Sequence, residues 1–392
     1  MCRIIHICKK GLNNMKMLKY TDKLLLFLSV LLFGIGLIMI FSSSSISAFM
    51  RYNSASYNFL LRQAAIIFLG IIMFLFVIQF NTKTISAISW FALIVFFCLL
   101  IFVFLFGPII NDARSWIDLG PFSFQPSEFV KVILIVWYSA FFELNRHKLN
   151  KISTSFFPIF ISSIFAVLIV LQPDFGTAAI IMLLSFLLYY MIPVDSMVKF
   201  KVISISLMII TIVFLLYYVY NTSSFQRQIS RFDFTNPCSQ EKFEGIGNQV
   251  CNSYIAFNNG NLRGKGLGNS TQKYLYLPES HTDFIFAIVV EELGFIISAG
   301  ILLLFFILLW RIIYIGRNSI SSRGSIMCYG VAVYIFLHTT VNLCGIMGLL
   351  PLTGVPLPFL SYGGSFTLSL ILGLSIVQRV AIETKLKKLG KI

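Results

Sequence analysis

Long apolar runs broken by short polar stretches dominate the chain. Runs of spanning length lie at roughly 24–42, 60–80, 86–106, 128–142, 154–171, 176–193, 200–220, 284–310, 325–349 and 364–380. A helix needs about twenty mainly apolar residues to cross a bilayer. The pattern therefore predicts an all-α polytopic integral membrane protein with about ten transmembrane helices and one long extracytoplasmic loop. The runs at 154–171 and 176–193 join through "QPDFGT", a tight turn that Asp174 is expected to organise. Residues 221–282 form the longest segment without a span and are rich in Gly, Asn and Gln. A loop of that size in a compact protein usually carries function. A second stretch, "GPIINDARSWIDLGPFSFQPS" at 107–127, mixes Trp116, Phe122 and Phe124 with Arg114 and Asp118. It reads as an interfacial segment folded back on the membrane.

Composition strengthens this picture. The chain is 58% hydrophobic and 11% charged, against about 25% charged in soluble domains. No separate soluble domain is expected: residues 1–23 read as a cytoplasmic segment, 24–382 as the membrane domain and 383–392 as a cytoplasmic tail. The basic start is followed by "LLLFLSVLLFGIGLIMIF", which has spanning length and no small-residue cleavage site. It is expected to remain as the first transmembrane helix, with Met15 or Met17 as an alternative start.

The net charge of +15 acquires meaning from position. With the N-terminus inside, the inner loops and both termini hold 20 of the 30 Lys and Arg residues. Eight fall in outer loops, and Arg62 and Lys131 lie within helices. That asymmetry fits the positive-inside rule, and an even helix count returns the C-terminus to the cytoplasm. The basic residues thus face an anionic leaflet. No basic patch alternates with aromatics, and a nucleic-acid partner is excluded. Cys238 and Cys251 share the long outer loop. They are either free thiols or a disulfide closing a ring worth ~3 kcal/mol on chain-entropy grounds. The other cysteines match no metal spacing, and no Walker A, HExxH or GxSxG pattern is present.

Ionisable residues at membrane depth are costly and are functional candidates. Three segments qualify. The first is "YLPESHTDFIFAIVVEELGF", residues 276–295, with Glu279, His281 and Asp283 at its polar end. For a helix starting near Asp283, Glu291 lies about 12 Å deeper and roughly 80° around the axis, with Glu292 on the far side. Glu291 is then the expected companion of Asp283. A carboxylate at a water–lipid boundary can serve as a general base. It can equally complement a helix N-terminus, with Glu291 and Glu292 pairing to neighbouring helices. The second segment is "FQPSEFVKV", in which Pro126 and Ser127 mark a helix start with Ser127 as N-cap. Glu128 and Lys131 share a helix face, either as a structural ion pair or to receive a phosphate-bearing ligand. The third is "PLTGVPLPFLSYGGSF", residues 351–366, which contains Ser361 together with three prolines and three glycines. It cannot form a regular helix, and at membrane depth such backbone lines protein or a watery cavity. A plain outer turn is the alternative. His338 is read as a packing residue.

Four stretches in order, "ARSWIDLGPFSFQPSEFVKV", "LQPDFGTA", "GLGNSTQKYLYLPESHTDFIFAIVVEELG" and "LPLTGVPLPFLSYGGS", resemble the signature segments of the SEDS family of peptidoglycan polymerases. The resemblance covers roughly residues 20–382. It implies a ten-helix enzyme that polymerises lipid II on the outer face of the membrane with inversion, releasing undecaprenyl pyrophosphate. It implies Asp283 as the catalytic base and Glu128 and Lys131 as important partners. Arg231, Lys273 or Lys131 could then stabilise the diphosphate, with Glu279, His281, Glu291 and Ser361 supporting. A divalent cation, Mg2+ or Mn2+, and a class B penicillin-binding protein are further implications, with divisome proteins and the division septum if the chain is of the FtsW type. "GNSTQKYLYLPE" is similar to FtsW and "GVPLP" is closer to RodA usage. Cys238 stands where the family commonly has an aromatic. A lipid II flippase would draw on the same charges, but no internal repeat of the transporter kind is evident.

Overall fold

The computed structural model describes residues 17–52, 55–109, 113–120, 123–220, 237–239, 247–274, 276–278 and 280–391. Among the described residues, ten long helices fall at the predicted spans. They are α1 (Lys23–Tyr52), α2 (Asn58–Val77), α3 (Thr82–Phe106), α4 (Pro126–Leu144), α5 (Ile152–Leu171), α6 (Phe175–Tyr190), α7 (Ser196–Tyr220), α9 (Ile285–Arg317), α10 (Ser322–Ile346) and α11 (Gly364–Lys388). The shorter α8 (Gly247–Gly260) lies in the long loop. Among the described residues, seven helices are long and apolar enough to cross a membrane, namely α1, α2, α3, α5, α9, α10 and α11.

Local chemistry sets several starts. Asn81 caps α3 through Thr84 N, Asp174 caps α6 through Thr177 N, and Ser321 caps α10 through Gly324 N. These are side-chain acceptors for the orphan N–H groups of a first turn. At α4 the cap differs from expectation. Gln125 occupies that position without a capping side-chain bond, Pro126 opens the helix, and Ser127 is buried inside the first turn. Proline tolerates the first turn because its missing N–H had no helical partner there.

Helix α4 is the axis of the bundle, buried along most of its length and packed against α3, α10 and α11. That position lets a helix carry Glu128 and Lys131 without presenting them to lipid. The interfacial segment becomes a small antiparallel hairpin, β1 (Ile117–Asp118) with β2 (Ser123–Phe124), pairing Ile117 with Phe124 and Asp118 with Ser123. It docks on the start of α11, where Ser365 Oγ donates to Ser123 O at 3.3 Å and accepts from Gln125 N at 2.8 Å.

One end of the bundle is closed by charge. Arg311 Nη2 reaches Asp22 Oδ2 at 2.6 Å, and Gln378 exchanges hydrogen bonds with the Asp22 backbone at 2.8 and 3.0 Å. Glu383 accepts from Thr82 N at 2.7 Å. The starts of α1 and α3 and the ends of α9 and α11 therefore meet at one face. The turn before α9, which holds Asp283, lies at the other.

Candidate active site

Residues 281–283 form a turn whose three carbonyls are each held from the 342–362 region. Tyr362 N donates to His281 O at 2.9 Å, Ser361 Oγ to Thr282 O at 2.6 Å, and Asn342 Nδ2 to Asp283 O at 2.8 Å. The same Asn342 nitrogen reaches Val355 O at 2.8 Å, and Leu357 N donates to Ser361 Oγ at 2.8 Å. The turn and the proline-rich segment thus form one hydrogen-bonded unit, the kind of support that holds a reactive side chain in place. Ser361 positions this turn through its hydroxyl.

The segment 351–363 is irregular, and Val355, Leu357, Phe359 and Leu360 are buried. It is therefore packed into the protein and is not a plain outer turn. Gly354 is exposed within it and has φ of +68°. Asp283 is half-buried, and its Oδ2 lies 3.5 Å from where a Cβ on Gly354 would stand. The half-buried carboxylate and this exposed glycine therefore lie side by side, at the end of the bundle opposite the Asp22–Arg311 pair. His281 is buried with its ring 4.7 Å from Phe59 and 5.8 Å from Tyr362.

The two glutamates of α9 serve the loop. Glu291 accepts from Asn259 Nδ2 at 2.9 Å, Thr271 Oγ1 at 2.7 Å, Gln272 N at 3.2 Å and Ser270 Oγ, and pairs with Lys265 at 3.2 Å. This corrects the expectation that Glu291 accompanies Asp283, because its oxygens are committed to residues 259–272. Glu292 pairs with Lys273 at 2.9 Å and accepts from Ser42 Oγ at 2.8 and 2.7 Å. Lys273, proposed from the sequence as a diphosphate partner, faces inward. It is 3% exposed and also donates to Gly268 O at 2.6 Å. The helix breaks just below these groups at Gly294, φ +80°. A Cβ there would collide with the Gly264 backbone, so the glycine lets the loop lie directly against α9.

Deeper in the bundle Lys131 pairs with Glu128 at 2.8 Å, as their spacing suggested. His338, read from the sequence as packing, is buried and stacked 4.7 Å from Phe366. It also sits 3.0 Å from Lys131 Nζ through Nε2. The signal for it was its place four residues before Asn342 on one face of α10. Cys238 and Cys251 are joined in a disulfide. Arg231 and Glu279 lie outside the described residues. Among the described residues no group of three or more His, Cys, Asp or Glu could hold a metal ion.

Comparison with known proteins agrees with this arrangement. The FtsW, RodA and SpoVE family, described as cell cycle proteins, matches residues 22–386, and the chain belongs to that family. A probable peptidoglycan glycosyltransferase FtsW of Bacillus subtilis (strain 168) is 35% identical, covering 94% of this chain and 93% of its own. The stage V sporulation protein E of the same strain is 33% identical over 90% and 94%. The fold matches a chain of a peptidoglycan synthase complex that coordinates polymerization and crosslinking, with TM-score 0.74 and 22% identity over 93% and 98% of the two chains. It also matches the rod shape determining protein RodA of Thermus thermophilus, with TM-score 0.66 and 21% identity over 92% and 96%.

Proposed function

We propose that this multi-pass membrane protein is a peptidoglycan glycosyltransferase that polymerises lipid II. The observation that carries the reading is the half-buried Asp283 carboxylate beside exposed Gly354, on a turn whose backbone carbonyls are held by the Asn342 and Ser361 side chains. In the proposed step Asp283 takes the proton of the 4-hydroxyl on the acceptor sugar. That oxygen attacks the anomeric carbon of the growing glycan, a C–O bond forms with inversion, and the bond to undecaprenyl pyrophosphate breaks. The pyrophosphate departs with the bonding pair. Fixed clamps keep the base aligned without reorganisation at the moment of reaction.

The charge distribution supports placing the Asp22–Arg311 end and both termini in the cytoplasm, with Asp283 on the outer face. The 35% identity to an FtsW protein supports a role in division at the septum, with elongation of the RodA type as the alternative. Likeness to a synthase-complex chain supports a class B penicillin-binding protein as partner. A divalent cation is left without a ligand set here, and no step is assigned to it.

The test is polymerisation of purified lipid II by the protein with its cognate class B penicillin-binding protein. Asp283→Asn and Asp283→Ala are expected to abolish polymer while leaving the fold and the partner complex intact. Polymer that survives either change would sink the base assignment, and lipid II movement across vesicles without polymer would favour a transporter.

A further inference from the structure

Lys131 is closed to solvent, and its ammonium is set among three protein groups. Glu128 Oε1 lies at 2.8 Å, His338 Nε2 at 3.0 Å, and the Tyr334 ring centroid at 5.8 Å. Such an ammonium is engaged by protein groups through Glu128 and His338. It also has no lone pair, so His338 Nε2 must accept from it. A neutral imidazole that accepts at Nε2 carries its proton on Nδ1. That nitrogen lies 3.4 Å from Pro356 O, an acceptor. One tautomer therefore satisfies both contacts.

The consequence reaches Asp283. On the same face of α10, His338 meets Pro356 O and Asn342 meets Val355 O and Asp283 O. Successive carbonyls are gripped from one helix, and the next residue back is Gly354, the wall against the Asp283 carboxylate. The ring has little freedom to turn, lying 4.7 Å from Phe366 on one side and 4.8 Å from Tyr334 on another.

We propose that His338 is a positioning residue for polymerisation, transmitting the orientation imposed by Lys131 to the 354–356 wall of the Asp283 site. The inference rests on Asp283 being the base. It assigns the buried Lys131 an indirect part in the reaction, through His338 and the wall.

The test uses His338→Leu, which keeps bulk without polar atoms, and His338→Gln, whose amide can accept from Lys131 and donate to Pro356 O. Polymerisation with the partner present should show kcat for His338→Leu down about tenfold or more with KM unchanged, the scale of one lost buried hydrogen bond. His338→Gln should recover most of that loss. Melting in detergent, run beside it, keeps misfolding distinct from misalignment. Nitrogen-15 labelling of histidine should place the His338 proton on Nδ1, with Lys131→Met releasing that preference. A raised KM with intact kcat, a His338→Gln variant as poor as His338→Leu, or a proton on Nε2 would each overturn the proposal. Wild-type protein without polymer would overturn the glycosyltransferase reading and this role with it. The tautomer signal tells that failure apart from a failure confined to His338.

Discussion

The Asp283 carboxylate and the Gly354 backbone face each other so closely that a methyl on Gly354 would stand 3.5 Å from Oδ2. Gly354 also holds a left-handed conformation, φ +68°, which costs an L-residue roughly 1–2 kcal/mol. Gly354→Ala is expected to lower stability by about that amount. It should cut lipid II polymerisation further than the stability loss explains, because the methyl would stand against the base. Melting and turnover measured on the same preparation separate the two effects. Normal turnover would show that the wall is not part of the site.

Lys273 and Glu292 are both buried and 2.9 Å apart. Removing one partner leaves a buried charge, so Lys273→Met and Glu292→Gln should each cost about 3–5 kcal/mol. The double variant Lys273→Met with Glu292→Met should cost less than the two single losses added together. Detergent melting of the cycle checks this, and strictly additive losses would show that the pair is not coupled.

Asp22 gives a pH dependence outside the spanning segments. Burial pushes its carboxyl up, but the Arg311 hydrogen bond and charge and the Leu25 N–H outweigh that and hold it below its usual value. A depressed carboxylate contributes stability above its unfolded pKa of about 3.9 and loses it as pH falls through the folded value. Asp22→Asn should therefore melt earlier than wild type at neutral pH, with the gap closing only below about pH 4. A gap that is constant across pH would contradict the ion pair.

The Cys238–Cys251 bridge predicts protection from an impermeant maleimide on intact cells until reductant is added. Cys251→Ser should destabilise by ~3 kcal/mol, the scale for a loop of this length. Labelling of both thiols without reductant would show them free.

What the sequence determines by itself is local. Hydropathy locates the ten long helices of the described residues, because each run must satisfy its own backbone in lipid, although α1, α9 and α11 run on past their apolar stretches to Tyr52, Arg317 and Lys388. The Glu128–Lys131 pair is readable because residues three apart share a helix face. Proline and glycine content marks 351–366 as irregular. Tertiary structure decides every relationship across helices. Glu292 meets Ser42 from 250 positions away, and Lys273 turns inward to the same carboxylate. Asn342 and Ser361 clamp the turn at Asp283, and Lys131 finds His338. No periodicity encodes these contacts. They depend on which faces of separate helices are brought together, and a buried charge takes whichever partner the packing supplies.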